Sequence, residues 1–563
     1  MHNRVPLMYQ AQLPERGKIQ YAGDEGPAAK WIEQWLEGCP PVPSNVDEKI
    51  PLYKRRSLKP EVKMPEFGPE VETKDYTFSW RFVTDAGQDE GCIRPVIGAK
   101  GLPFIPGSSM KGAFLRHCPQ KKKLKYCGGE VREKGEIKMK PGILRFHGAY
   151  PVDMSWAKRK RLMDIIHPQQ ERQVMENKTT SAHVQISLYQ PTLRFGISSS
   201  KKLTTQEWQE VWAIWEQALG EGMGSRVSAG YGQVTSLASP KKPLLAVHLQ
   251  GQGLASQLLN NTPEFRPNMF KAALRGHTLR WLAGVTDKET ALALTKQLWG
   301  GIDGEAGAIV GKLGVNFVAD EENLQVGKYR YDLQKGELAV HCLAKVSTQE
   351  KKELRKLVRQ IIRFSLLLGG FGKSWRRIDH ELFFPSYVNN SNNPGIGCHW
   401  QFAEESEKLY LPVHSLKNVT DFLDYYQNLI TEWVQSNRKT TGNSVREWRE
   451  AWHPSKVQVW GRIAQSERDS TAIYWLHGPY SGKKSIKNTA LTGKIGQIGR
   501  LWHRMYPRYK NYRDKSSGEI VLRSTGEYIE LLTLFPDESQ TTTDFLRYLY
   551  NVSDFELLFG EIR

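Results

Sequence analysis

The apolar positions change period along the chain, and each change predicts an element. Tyr76-Thr-Phe-Ser-Trp-Arg-Phe-Val83 alternates ring and polar side chain, which predicts a half-buried strand. Over Thr205–Leu219 the spacing lengthens: Trp208, Trp212, Trp215 and Leu219 fall at i, i+4, i+7 and i+11, one face of a helix. A tryptophan stripe at that spacing is core rather than a cofactor box. A second helix is predicted over about Thr348–Leu368, with Leu354, Leu357, Val358, Ile361, Ser365 and Leu368 on one side. Beyond it, Asp421–Gln435 and Thr543–Tyr550 read as helices, and Val457-Gln-Val-Trp-Gly461 and Ala472-Ile-Tyr-Trp-Leu476 read as strands. Short strands mixed with separate helices, without regular βαβ alternation, predict an α+β fold with antiparallel sheets and large insertions.

The same plan occurs twice. Pro106-Gly-Ser-Ser-Met-Lys111-Gly-Ala-Phe-Leu-Arg116 and Pro267-Asn-Met-Phe-Lys271-Ala-Ala-Leu-Arg275 each place a Lys-small-Ala step after a proline-led turn, then an Arg about one helical turn on. Each is followed, about a hundred residues later, by one of the two helices above and then a glycine loop. The loops are Gly222-Met-Gly224-Ser-Arg226-Val-Ser-Ala-Gly230-Tyr-Gly232 and Gly369-Gly370-Phe-Gly372-Lys373-Ser-Trp-Arg376-Arg377. This predicts an N-terminal extension over 1–75, one domain over 76–243, a second over 244–400, and an α+β region over 401–563 that continues the second.

Composition then narrows the function. The chain has 563 residues with 79 Lys+Arg against 60 Asp+Glu, a net charge of +19. That excess suits a polyanionic partner, nucleic acid before a membrane surface; the plain alternative is a generally basic protein. No stretch approaches a membrane span, and the first residues lack the apolar core of a signal peptide. Six cysteines (Cys39, Cys92, Cys118, Cys127, Cys342 and Cys398), none in a CxxC, point to free thiols and a cytoplasmic protein. His117 beside Cys118 and Cys127 lacks the ligand spacing of a zinc site, and no metal site is expected.

The repeated motifs have a chemistry in common. A turn running into a helix start exposes backbone N–H groups that suit phosphate. Ser108 and Ser109 could cap that start, Gly107 could let a ligand approach, and Lys111 and Arg116 add charge. The glycine loops offer further N–H groups beside Arg226, Lys373, Arg376 and Arg377. Either motif alone reads more simply as a helix cap or a hairpin turn; two copies of the pair in one basic chain favour RNA. Lys121-Lys-Lys-Leu-Lys125, Lys158-Arg-Lys-Arg161 and Gly499-Arg-Leu-Trp-His-Arg-Met-Tyr-Pro-Arg-Tyr-Lys510 add cations, the last interleaved with rings as a single-strand platform would be. Gly478-Pro-Tyr-Ser-Gly482-Lys-Lys-Ser485 is one residue short of a phosphate loop between its glycines, and Lys484 stands where Ser or Thr is needed.

Gly101-Leu-Pro-Phe-Ile-Pro-Gly-Ser-Ser-Met-Lys-Gly-Ala-Phe-Leu-Arg116 resembles the hallmark of the RAMP superfamily of type III CRISPR effector complexes. The Gly222–Gly232 stretch resembles that family's glycine loop. Arg145-Phe-His-Gly-Ala-Tyr-Pro151 and Asp164-Ile-Ile-His-Pro168 resemble the sixth Cmr subunit. Arg266–Arg275, Leu279-Arg-Trp281, Gln297-Leu-Trp-Gly300 and Gly369–Arg377 resemble the first Cmr subunit. The resemblance covers about residues 76–400. It implies two tandem ferredoxin-like or RRM-like domains that bind guide RNA (crRNA) toward its 3′ end and the guide–target duplex in antiviral defence.

It further implies target RNA, other RAMP backbone subunits and the large polymerase-like CRISPR subunit as partners, and Ser108, Ser109, Lys111, Arg116, Gly222, Gly224, Arg226, Lys271, Arg275, Gly370, Gly372, Lys373, Arg376 and Arg377 as RNA contacts. Binding requires no cofactor. In family members that cut RNA, an Asp precedes the proline–glycine block; here Ile93 stands there, beside Arg94. Asp85 and Asp89, just upstream, are the alternative acids for a Mg-dependent cleavage. A protein scaffold without RNA contact is the remaining alternative. The weight falls on a non-catalytic RNA-binding subunit.

Overall fold

A computed structural model describes residues 64–562, apart from 85–87, 90–91, 99–100, 134–135, 159–161, 167–168, 176–182, 236, 238–240, 258–262, 303–307, 373–375, 386–396, 438–442, 446 and 494–498. The fold is α+β, and the chain divides into two compact units with a boundary between Lys242 and Pro243. Residues 401–562 belong to the same compact unit as the segment that begins at Pro243.

The N-terminal unit is built on an antiparallel sheet of β1 (Glu72–Thr77), β2 (Leu144–Pro151) and β3 (Thr192–Ser199), in the order β1-β3-β2. Helices α1 (Gly107–His117), α2 (Gln120–Cys127) and α3 (Thr205–Leu219) accompany it. Helix α3 begins with a reciprocal capping box between Thr204 and Glu207. Its stripe packs inward as its spacing requires: Trp212, Trp215 and Leu219 join Phe78, Phe114 and Phe195 in the core. The strand read over 76–83 is broken. Tyr76 lies in β1, the left-handed Trp80 (φ 53°) turns the chain, and Arg81–Phe82 pair instead with Leu188–Tyr189. The ring alternation survives the turn because Tyr76, Phe78 and Phe82 are buried on both sides of it.

Two larger sheets organise the C-terminal unit. In the first, β4 (Leu245–Leu254), β5 (Leu313–Val318), β6 (Arg330–Cys342) and β7 (His399–Phe402) run antiparallel in the order β5-β6-β4-β7. In the second, β8 (Gln458–Ala464), β9 (Leu501–Arg513), β10 (Ile520–Leu534) and β11 (Glu556–Phe559) follow the order β9-β10-β8-β11, with Arg376–Arg377 parallel to β9. The longer helices are α4 (Asn268–Val285), α5 (Lys288–Trp299), α6 (Thr348–Phe364), α7 (Lys417–Asn437) and α8 (Gln540–Asn551). The short helix Gln169–Met175 comes from the middle of the N-terminal sequence yet packs against α4.

Ala472–His477 is a helix rather than the strand its apolar run suggests. The cause is tertiary. The buried Glu530 carboxylate of β10 accepts the Thr471 and Ala472 N–H groups at 2.9 Å each, and Ser470 Oγ accepts the Ile473 N–H. A distant acid thus joins the local Ser470 in satisfying the N–H groups of the helix start.

Candidate nucleic-acid interface

Helix α1 follows Pro106, whose fixed φ suits a helix entry. Met110, Ala113 and Phe114 are buried where α1 packs on β2 and α3. That phase leaves Ser108, Ser109, Lys111 and Arg116 exposed. The helix start carries no side-chain cap hydrogen bond and no acid in its first turn. The expected serine cap is therefore absent: both hydroxyl groups face solvent, and the first-turn N–H groups keep their positive end of the helix dipole. Gly107 serves the fold rather than a ligand, because a Cβ there would lie 2.0 Å from the Phe146 carbonyl oxygen.

Several other cations of this unit sit beside acids. Arg194 grips Asp75 through two bonds of 2.8 Å, Lys74 meets Glu216 at 2.9 Å, and Lys241 meets Glu221 at 2.8 Å. In the lysine run of α2, Lys122 pairs with Glu210 and Lys125 with Glu207. Among the described residues Lys111 and Arg116 have no carboxylate within ion-pair distance.

The first glycine loop has positive φ at Gly222, Gly224, Arg226, Gly230 and Gly232. Most of its N–H groups are spent internally, contrary to the expected anion cradle. Met223 donates to Gly232 O, Ser225 to Val83 O, Gly230 to Val227 O and Gly232 to Arg81 O. What the loop shows to solvent is Gly224 and the Arg226 side chain. Arg226 is held from beneath: its Nε donates to Gln185 Oε1 at 2.6 Å, Gln185 Nε2 to Asp164 Oδ2 at 3.2 Å, and Tyr231 OH to the same oxygen at 2.6 Å. Asp164 and Gln185 are fully buried. Sequence reasoning named Asp164 as part of a motif but missed this network, which needs three separate segments.

Ile93, at the expected acid position, lies in the same small sheet, opposite Gln185. Asp85 lies outside the described residues; Asp89 lies on the neighbouring strand Gln88–Asp89. Cys118 and Cys127 are buried thiols, and burial pushes both up, Cys127 to about 11. His117 lies 3.4 Å from Glu221.

No protein-family model and no curated protein matches the chain. Solved structures do. The chain is similar to Cmr1 from Pyrococcus furiosus in its apo form, at 10% identity over 56% of this chain and 98% of that one, with a TM-score of 0.29. It is similar to Cmr6 from Pyrococcus furiosus at 15% identity over 29% and 96%, TM-score 0.19. A chain of the type III-B Cmr-beta complex bound to cognate target RNA matches at 20% identity over 29% and 57%, TM-score 0.22, so the match spans little more than half of that chain.

The second motif pair is more deeply built in. Lys271 is half-buried on α4, and Arg275 is held by Glu171 of the short helix Gln169–Met175. Gly370 (φ 61°) and Gly372 (φ 92°) keep the expected loop conformation, but the Gly370 carbonyl accepts from His277 Nε2 at 3.1 Å. Arg377 corrects the expectation: it is buried, and its guanidinium donates to the Phe371 carbonyl and to Cys398 Sγ. Lys373 lies outside the described residues, and Arg376 is placed only as a residue of the strand beside β9.

The ring-and-cation segment near the end is likewise interior. Trp502, Arg504, Tyr506, Arg508 and Tyr509 are buried in β9. Arg504 donates to the carbonyls of Leu366, Arg377 and Trp400, closing the end of the π-turn Ser365–Gly369 after α6. These residues form core, so they offer no stacking surface. Gly478–Ser485, the near-miss phosphate loop, is a small hairpin pairing Pro479–Ser481 with Lys484–Ser485.

Proposed function

We propose that the protein is an RNA-binding RAMP subunit of a type III CRISPR effector ribonucleoprotein, holding guide RNA and the guide–target duplex. The observation that carries this reading is helix α1: an uncapped start, free of first-turn acids, presenting Ser108, Ser109, Lys111 and Arg116 to solvent. Arg226 adds an exposed guanidinium whose direction is set by the Gln185–Asp164 network. Phosphate is the ligand chemistry such a surface takes. The proline–glycine block that builds it is also the block that resembles the RAMP hallmark.

Partners on this reading are guide RNA, target RNA, other backbone RAMP subunits and the large polymerase-like subunit. This reading does not include cleavage, since Ile93 stands where cleaving members of the resembled family carry an acid. The test is isolation of the assembled complex. A small RNA of defined length should co-purify, and Lys111→Ala with Arg116→Ala should reduce the amount retained. Wild-type RNA occupancy in that double variant would refute the assignment.

A further inference from the structure

We propose that helix α6 carries a second RNA surface, in which Lys352, Arg355, Lys356 and Arg359 hold the phosphates of a single strand and Tyr425 of α7 stacks a base. The inference rests on the RNA-binding reading and extends it to residues outside every motif named above.

The argument starts from helical phase. Leu354, Leu357, Val358, Ile361 and Phe364 are buried, so the opposite side of α6 faces solvent, and all four cations lie there. Lys352 stands three and four positions before Arg355 and Lys356, and Arg359 stands four and three positions after them, so each end of the stripe meets both middle cations. Like charges at that spacing destabilise a helix.

Among the described residues none of the four has a carboxylate within ion-pair distance. The acids of α6 are engaged: Glu350 with Lys312 at 2.7 Å, and Glu353 with the Gln349 amide at 2.9 Å. Asp421 of the neighbouring α7 is held by Lys417. Other exposed lysines of this unit do meet acids, as Lys335 does with Glu405 and Lys484 with Asp544.

A helix that stacks like charges on one face becomes favourable when a polyanion covers it. From Lys352 to Arg359 the stripe runs about 10 Å along the axis. Beside it, Lys356 Nζ lies 5.3 Å from the centroid of the Tyr425 ring, which is 43% exposed. An open ring bordered by cations is the combination that holds unpaired bases and their phosphates, and it favours RNA over an acidic protein.

The test uses the full chain and a fluorescein-labelled single-stranded RNA of mixed sequence, read by anisotropy over a salt series. K352Q/R355Q/K356Q/R359Q should unfold no earlier than wild type on heating. Its slope of log affinity against log salt should fall by about 0.7 for each phosphate it no longer neutralises. Tyr425→Ala should weaken binding about fivefold or more, and Tyr425→Phe should restore it. A quadruple variant with the wild-type slope overturns the inference; if Lys111→Ala still weakens binding, the broader RNA reading stands. Loss of poly-L-glutamate binding with RNA binding intact overturns it in favour of an acidic protein partner. Wild-type chain that fails to bind RNA overturns both readings.

Discussion

Arg280 grips a single oxygen of Glu450: its Nε and one terminal nitrogen donate to Glu450 Oε2 at 2.8 and 2.6 Å, and both side chains are shut off from water. The other carboxylate oxygen accepts the Gln173 amide at 2.9 Å, so one buried acid ties α4 to the short helix Gln169–Met175. Removing one partner of such a pair strands the other charge in the interior. Glu450→Gln should therefore destabilise the C-terminal unit by about 3–5 kcal/mol, read as a lower denaturant midpoint.

At α1, the exposed cations should act on affinity and leave the fold alone. Lys111→Ala and Arg116→Ala should each lower the slope of log affinity against log salt by about 0.7, with an unchanged unfolding midpoint. A fall in stability without a change in slope would make them structural.

Gly148 tests how closely the proline–glycine turn packs. Its φ is 79°, and a Cβ there would lie 1.9 Å from the Ile105 carbonyl oxygen. Gly148→Ala should destabilise the N-terminal unit by about 1–3 kcal/mol and weaken RNA binding through loss of the turn. Gly112→Ala is the control, since nothing lies within 4 Å of a Cβ at that position.

Acid should unfold the C-terminal unit in two stages. Burial, with Arg504 beside it, holds His399 down to about 3; burial and Arg280 hold His277 well below its ordinary 6.5. The unfolded chain takes up these protons first, so stability is greatest above pH 6.5 and falls as pH drops below it. Glu530 adds the second stage. Burial pushes its carboxyl up, but His503, Ser470 and Arg462 outweigh that and bring it to about 2. Its contribution is present above its ordinary 4.5 and is lost as pH falls toward 2. Chemical denaturation between pH 8 and 3 should show His399→Gln flattening the upper part of the fall.

The sequence was most readable where local periodicity and burial agree. The stripe of Trp208, Trp212 and Trp215 marked α3 from Thr205 to Leu219, because a helix must turn one face inward. It was misleading where a residue's role depends on a distant neighbour. Ala472-Ile-Tyr-Trp-Leu476 is apolar enough for a strand, and Glu530 makes it a helix. Arg377 belongs to a glycine-loop motif, and Cys398 and the Phe371 carbonyl claim its guanidinium.

The sequence by itself determined the α+β class, the +19 charge, the repeated motifs and the faces of the long helices, since each follows from composition or from spacing along one element. Tertiary structure decided which cations are available. Trp502, Arg504 and Arg508 look like an RNA platform in one dimension and are core in three, because β9 lies within the second sheet of its unit. Lys111 and Arg116 stay free because the buried face of α1 points their side away from the core, where no acid meets them among the described residues. A charge binds RNA only if the fold leaves it unpaired, and pairing is settled between residues far apart in sequence.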